Sequence, residues 1–122
     1  QAVKHLLANV AVRLEFARPV VYRAACSVAH DSPTRAVDVS HAKVAASEAA
    51  VLAAKTVHQL HGAMGYTWEC DLHIWMKRAW ALDITWGTSA WHRARVAAAV
   101  IDGIAPAATF GYNAPINGVA GH

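Results

Sequence analysis

Between Val3 and Val28 the chain repeats an apolar residue at alternating steps of four and three: Val3, Leu7, Val10, Leu14, Ala17, Val21, Ala24, Val28. Only an α-helix puts such positions on one face, and a seam this regular spans about eight helical turns. It predicts one helix over roughly 1–29. Pro19 lies inside it and removes the amide that would bond to the carbonyl of Glu15, so a kink is expected there. The seam stays in phase across Pro19, which favours one helix over two.

The rest of the chain follows the same period. "HDSPTR" breaks the first helix, with Ser32 as an N-cap and Pro33 as a first helical residue. A second helix is predicted over about 33–61, rich in Ala, Val and Leu, ending at Gly62 and Gly65 in the loop "HGAMGYT". Thr67 is the expected cap of a third helix, about 68–84. Gly87 interrupts the pattern, and Thr88 caps a fourth helix over about 88–103, which Gly103 ends. No segment alternates with period two. The predicted fold is all-α, an antiparallel four-helix bundle, occupying 1–104, with a coil tail over 105–122.

Composition narrows the function. Hydrophobic residues make up 56% of the 122 and charged residues 16%. That is apolar for a lone domain of this size, so self-association or association with a related chain is expected. The net charge is +3 and the basic residues are scattered without an aromatic-interleaved stripe, which argues against nucleic acid. Cys26 and Cys70 form no CxxC motif and no disulfide framework, consistent with a reducing, cytoplasmic setting. Lys4, Arg13 and Glu15 interrupt any leader-like apolar run, and Pro106 and Pro115 exclude a membrane span after Gly103. Gln1 opens directly on a helical pattern with no Met, as a fragment or processed chain would.

Four stretches, "QAVKHLLANVAVRLEFAR", "AKVAASEAA", "QLHGAMGYTWE" and "KRAWALDITWGTS", taken in this order, resemble the C-terminal helical domain of flavin-dependent acyl-CoA dehydrogenases. The resemblance covers about 1–104. It implies an intact protein with an N-terminal helical domain and a middle β-domain, FAD as cofactor, acyl-CoA thioesters as substrates, and a homo- or hetero-oligomer packed through these helices. It also identifies positions. In many members a turn reading Tyr-Glu-Gly-Thr supplies the base that takes the α-proton; here it reads Thr85, Trp86, Gly87, Thr88, and an indole accepts no proton. Three readings follow: a base upstream on another helix, two unlike subunits of which this one lacks the base, or lost activity. A subunit giving scaffold and part of a FAD site is the leading expectation.

By the same resemblance, a Gln followed by a Gly-Gly-x-Gly loop reaches the FAD of a neighbouring subunit, and the matching residues are Gln59, Gly62, Ala63 and Gly65. The second glycine has become Ala63, a small change if its φ is negative and a costly one otherwise. Thr88 matches a residue near the flavin and equally suits an N-cap; Ala90 stands where the family often has Gln. A non-enzymatic helical interaction module is the competing class.

Other constellations carry less. His58 and His61 have a spacing that can share a metal on a helix, with Glu69, Asp71 and His73 as distant candidates, but partly buried or interface histidines are the simpler reading and no metal site is assigned. Lys77 and Arg78 suit a phosphate or a solvated face. Trp75, with Trp86 or Trp91, is expected between helices and Trp80 at an interface. Trp86 itself is expected to fill or plug the acyl end of a pocket. Glu15 and Glu48 are expected to pair with basic residues such as Arg18 or Lys43.

Overall fold

The computed structural model describes residues 1–103, and the expected tail over 105–122 lies outside them. Two long helices are followed by two short ones: α1 (Ala2–Ala29), α2 (Arg35–His61), α3 (Leu72–Ile84) and α4 (Ser89–Ile101), with a 3-10 turn, Gly62–Tyr66, between α2 and α3. No strand occurs among the described residues, so the all-α, four-helix expectation holds. The first helix runs unbroken through Pro19.

Local chemistry explains the joints. Asp31 takes a left-handed φ of 52°, the conformation a glycine usually supplies after a helix. This lets the amide of Ser32 reach back to the carbonyl of Ser27 at 2.8 Å and that of Asp31 to Val28 at 3.2 Å. The Ser32 hydroxyl accepts from the Thr34 amide at 3.3 Å, within the turn before α2, so the residue that flanks the helix is Thr34 and not Ser32. The second helix begins after Thr34, whose hydroxyl donates to Asp38 at 2.8 Å. Thr67 does not cap α3 either. Its hydroxyl donates backward to the carbonyl of Met64 at 2.8 Å, closing the 3-10 turn, and α3 starts only at Leu72. Thr88 does cap α4, accepting from the amide of Trp91 at 3.3 Å. Thr88→Ala should cost about 1 kcal/mol of unfolding free energy, with Thr88→Ser restoring it, read by urea unfolding of the intact protein.

The second helix is the hub: α1 packs on it, and α3 and α4 pack on it as well. The core is thin. The buried apolar residues among those described are Ala17, Ala24, Ala42, Val44, Ala49 and Met76, four of them alanines. Of the predicted α1 seam, Ala17 and Ala24 are buried, whereas Val3, Leu7, Leu14, Val21 and Val28 remain exposed. Val10, Leu14 and Val21 instead wall an open apolar groove floored by Ala46, Ala49, Ala50 and Ala53 of α2. A second groove runs along the other side of the same alanine stripe, walled by Leu72, Trp75, Met76 and Ala79 of α3. Trp75, Trp86 and Trp91 do not pack between helices in this chain. They are 71%, 90% and 53% exposed, because among the described helices α3 and α4 pack mainly on α2.

Polar contacts fix how α1 and α3 lie on α2. Asp38, buried near the start of α2, accepts from Ser27 at 2.7 Å and from Arg23 at 3.2 Å, both on α1. At the other contact the Lys43 ammonium reaches the last carbonyls of α3, those of Leu82 and Asp83, and also Ser47 at 3.1 Å. Glu48 pairs with Arg93 of α4 rather than with Lys43, while Glu15 pairs with Arg18 at 2.8 Å as expected.

Candidate functional site

The turn Thr85–Thr88 connects α3 to α4 and is held from three sides. Lys43 binds the carbonyls at its α3 end, where the helix leaves acceptors without partners. Ser89 donates to Asp83 Oδ1 at 2.9 Å across its base. His92, buried in α4, has its Nε2 3.0 Å from the carbonyl oxygen of Trp86. Held this way, Trp86 sits at φ 64° and Gly87 at φ 106°. The indole projects outward and is 90% exposed. Among the described residues the turn sends this side chain away from the bundle.

No acid or base occupies the turn itself. The two nearby carboxylates are already engaged, Asp83 by the Ser89 hydroxyl and Glu48 by the Arg93 guanidinium. Both line a cleft between α2 and the turn, together with Ser47, Lys55 and Ser89. The arrangement can orient and support a ligand beside the turn; it offers no free proton acceptor at residue 86.

At the far end of α2 lies the glycine loop. Lys43 and Gln59 are four to five turns apart on that helix, roughly 24 Å by helical rise. No described contact joins Gln59, Gly62, Ala63 and Gly65 to Trp86 and Thr88, so this chain does not assemble the expected cofactor residues into one place. Gln59, Gly62 and Ala63 are exposed. Gly62 has φ 54°, with nothing within 4 Å of where a Cβ would stand, so its backbone is open to an approaching group. Ala63 keeps a negative φ, and its methyl is therefore the small change rather than the costly one. Gly65 is different. It is buried, and a Cβ there would lie 3.1 Å from His58 Nδ1 and 3.2 Å from the His58 carbonyl, so a methyl would need these neighbours to shift by a few tenths of an ångström. Gln59, Gly62 and Ala63 are thus open to a group presented from outside the described residues.

His58 and His61 do not converge. His61 Nδ1 lies 2.8 Å from the Val57 carbonyl, and His58 stacks edge-on against Tyr66 with ring centres 4.2 Å apart. Among the described residues no group of three His, Cys, Asp or Glu side chains is placed to hold a metal. Lys77 lies 4.8 Å over the Trp68 ring. No described helix is long and apolar enough to cross a membrane.

Two residues that shape the turn are not singled out by the sequence pattern. His92 is one of eight histidines and Lys43 reads only as a partner for Glu48. The available signal for His92 is a lone imidazole in the first turns of an otherwise alanine- and valine-rich helix.

Comparison with known proteins agrees with this picture. The family described as acyl-CoA dehydrogenase, C-terminal domain, matches residues 1–101. The acyl-CoA dehydrogenase IpdE2 of Mycobacterium tuberculosis is 44% identical over 79 residues, 65% of this chain. The 3-sulfinopropanoyl-CoA desulfinase of Paraburkholderia xenovorans is 33% identical over 101 residues, 83% of this chain. The probable acyl-CoA dehydrogenase YngJ of Bacillus subtilis is 34% identical over 89 residues, 73% of this chain. The match spans 23%, 26% and 23% of these three relatives. With the fold, the glycine loop and the α3–α4 turn all in the expected order, the chain belongs to the acyl-CoA dehydrogenase family, of which it is a C-terminal domain.

Proposed function

We propose that the intact protein is a subunit of a FAD-dependent acyl-CoA dehydrogenase, acting in the cytoplasm on a fatty-acyl or sterol side-chain thioester. In this reading it lacks the usual base and contributes scaffold and part of a FAD site, while a related partner chain supplies the base. Dehydrogenation sends the α-proton to a base and the β-hydrogen, as hydride, to the flavin. Gln59, Gly62 and Ala63 would approach a flavin held by a neighbouring chain, and Thr88 one held nearer the turn. The observation that carries the reading is Trp86: the turn at the base position presents its side chain outward and holds an indole. The exposed apolar walls of α1 and α3 favour an oligomer, and equally suit a non-enzymatic interaction module; flavin co-purifying with the intact protein separates the two.

Restoring the carboxylate tests this directly. Trp86→Glu in the intact protein is expected to raise turnover of an acyl-CoA panel, with an artificial electron acceptor, by less than about a hundredfold. A general base must lie about 3 Å from the proton it takes and be tuned near the working pH. A side chain 90% exposed on this chain has neither condition met by its own domain. A larger gain in the protein without any partner would mean that the pocket is complete and only the base was missing, against a scaffold role.

A further inference from the structure

We infer that His92 is the positioning residue of the α3–α4 turn, fixing through its Nε2–H the direction in which the side chain at residue 86 leaves the fold. Three observations converge on it. Only Met76 and His92 are buried among the residues of α3 and α4, and His92 is 6% exposed. A helix that buries a histidine in place of a leucine gains no apolar contact by doing so. Its Nδ1 is buried without a partner among the described residues, a cost a hydrocarbon side chain would avoid. The compensating contact is Nε2, 3.0 Å from the Trp86 carbonyl oxygen. That oxygen can only accept, so Nε2 carries the hydrogen and the tautomer is set.

The turn sits directly on this ring. A Cβ at Gly87 would stand 3.1 Å from His92 Nε2 and 3.0 Å from Trp91 Cε3. Trp86 at φ 64° is a bulky residue in the left-handed region, a conformation that persists only where surrounding contacts over-determine it. Lys43 fixes the α3 end of the turn and His92 fixes its middle, so the direction of residue 86 is a property of the frame. It would be the same for any side chain placed there. The importance of that direction for catalysis rests on the proposed function above; the clamp itself does not.

Chymotryptic cleavage after Trp86 reads the clamp without reading activity. A protease needs the chain extended through the scissile bond, and two consecutive left-handed residues forbid this until the turn opens. In the intact protein, His92→Leu is expected to speed appearance of the peptide ending at Trp86 by about tenfold, the worth of one hydrogen bond. Cleavage after Trp75 and Trp80, within α3, should not change. His92→Gln, which keeps a side-chain N–H donor, should stay within about threefold of wild type by the same measure. Cleavage after Trp86 that is as slow in His92→Leu as in wild type overturns the inference, and so does His92→Gln cutting as fast as His92→Leu. Should His92→Leu fail to fold, with cuts at Trp75 and Trp80 as well, the glutamine variant decides: protection at Trp86 supports the clamp and rapid cutting overturns it. Turnover is not measured, so failure here leaves the catalytic reading to its own test.

Discussion

Lys43→Met is expected to cost about 2 kcal/mol of stability and to loosen the α3–α4 turn. The methionine keeps the aliphatic stem, so the loss is that of the ammonium alone. That group donates to Ser47 at 3.1 Å, to the Asp83 carbonyl at 3.2 Å and to the Leu82 carbonyl. The carbonyls are the last of α3, where no amide follows to satisfy them and where the helix dipole favours a cation. Charged hydrogen bonds are worth about 1.5–3 kcal/mol each when dry, and partial exposure of Lys43 brings the sum down to the figure given. The checks are urea unfolding of the intact protein and amide exchange at Thr85, whose N–H bonds to the Ala81 carbonyl at 3.1 Å. A loss below about 0.5 kcal/mol would place the lysine among ordinary surface charges.

Asp38→Ala is expected to cost about 2–3 kcal/mol and to loosen α1 from α2. Three donors converge on this carboxylate: the hydroxyls of Ser27 and Thr34 at 2.7 and 2.8 Å, and Arg23 at 3.2 Å. Arg23 is more than half exposed, so water takes over much of its pairing, and most of the loss comes from the two hydroxyls left without an acceptor. The same contacts set a pH dependence. Burial alone would raise the Asp38 pKa, but the hydroxyl donors, then the Arg23 charge, overcome it and hold the group below its ordinary value. A carboxylate depressed in the folded state adds stability above its unfolded pKa, about 3.9, and that stability drains away as pH falls through the folded value. Wild type should therefore lose stability from about pH 4 downward more steeply than Asp38→Ala, in unfolding measured across that range.

The elements themselves were legible because their signals are local and redundant. The seam of α1, the Gly62 break and the Thr88 cap each appear where the pattern puts them. The two caps that misled, Ser32 and Thr67, show the limit. A hydroxyl can point forward to cap a helix or backward to close a turn, and the sequence around both is compatible with either. The Ser32 hydroxyl does point forward but meets the Thr34 amide just before α2 begins, whereas that of Thr67 points backward to the Met64 carbonyl. Contacts across the chain were less legible. Arg23 with Asp38, Lys43 with Leu82 and Asp83, and Glu48 with Arg93 depend on how helices meet, which periodicity does not report. The tryptophans fail for a related reason: an apolar side chain destined for another surface reads the same as one destined for this core. Trp86 was legible as the residue at the position of the resembling family's base because the surrounding turn keeps its spacing. Its outward direction was not, since this follows from His92, six residues later and on the next helix.

The proposal that this subunit lacks a base and works with a chain that has one is tested by steady-state turnover of the intact, flavin-loaded protein on a panel of fatty-acyl and sterol side-chain CoA thioesters, alone and after co-expression with a related chain that carries Glu in the corresponding turn. No turnover above background is expected alone, and clear turnover of at least one thioester is expected for the pair. Full turnover by the single protein, unchanged when the partner is added, would contradict the proposal and place the base elsewhere in the same chain.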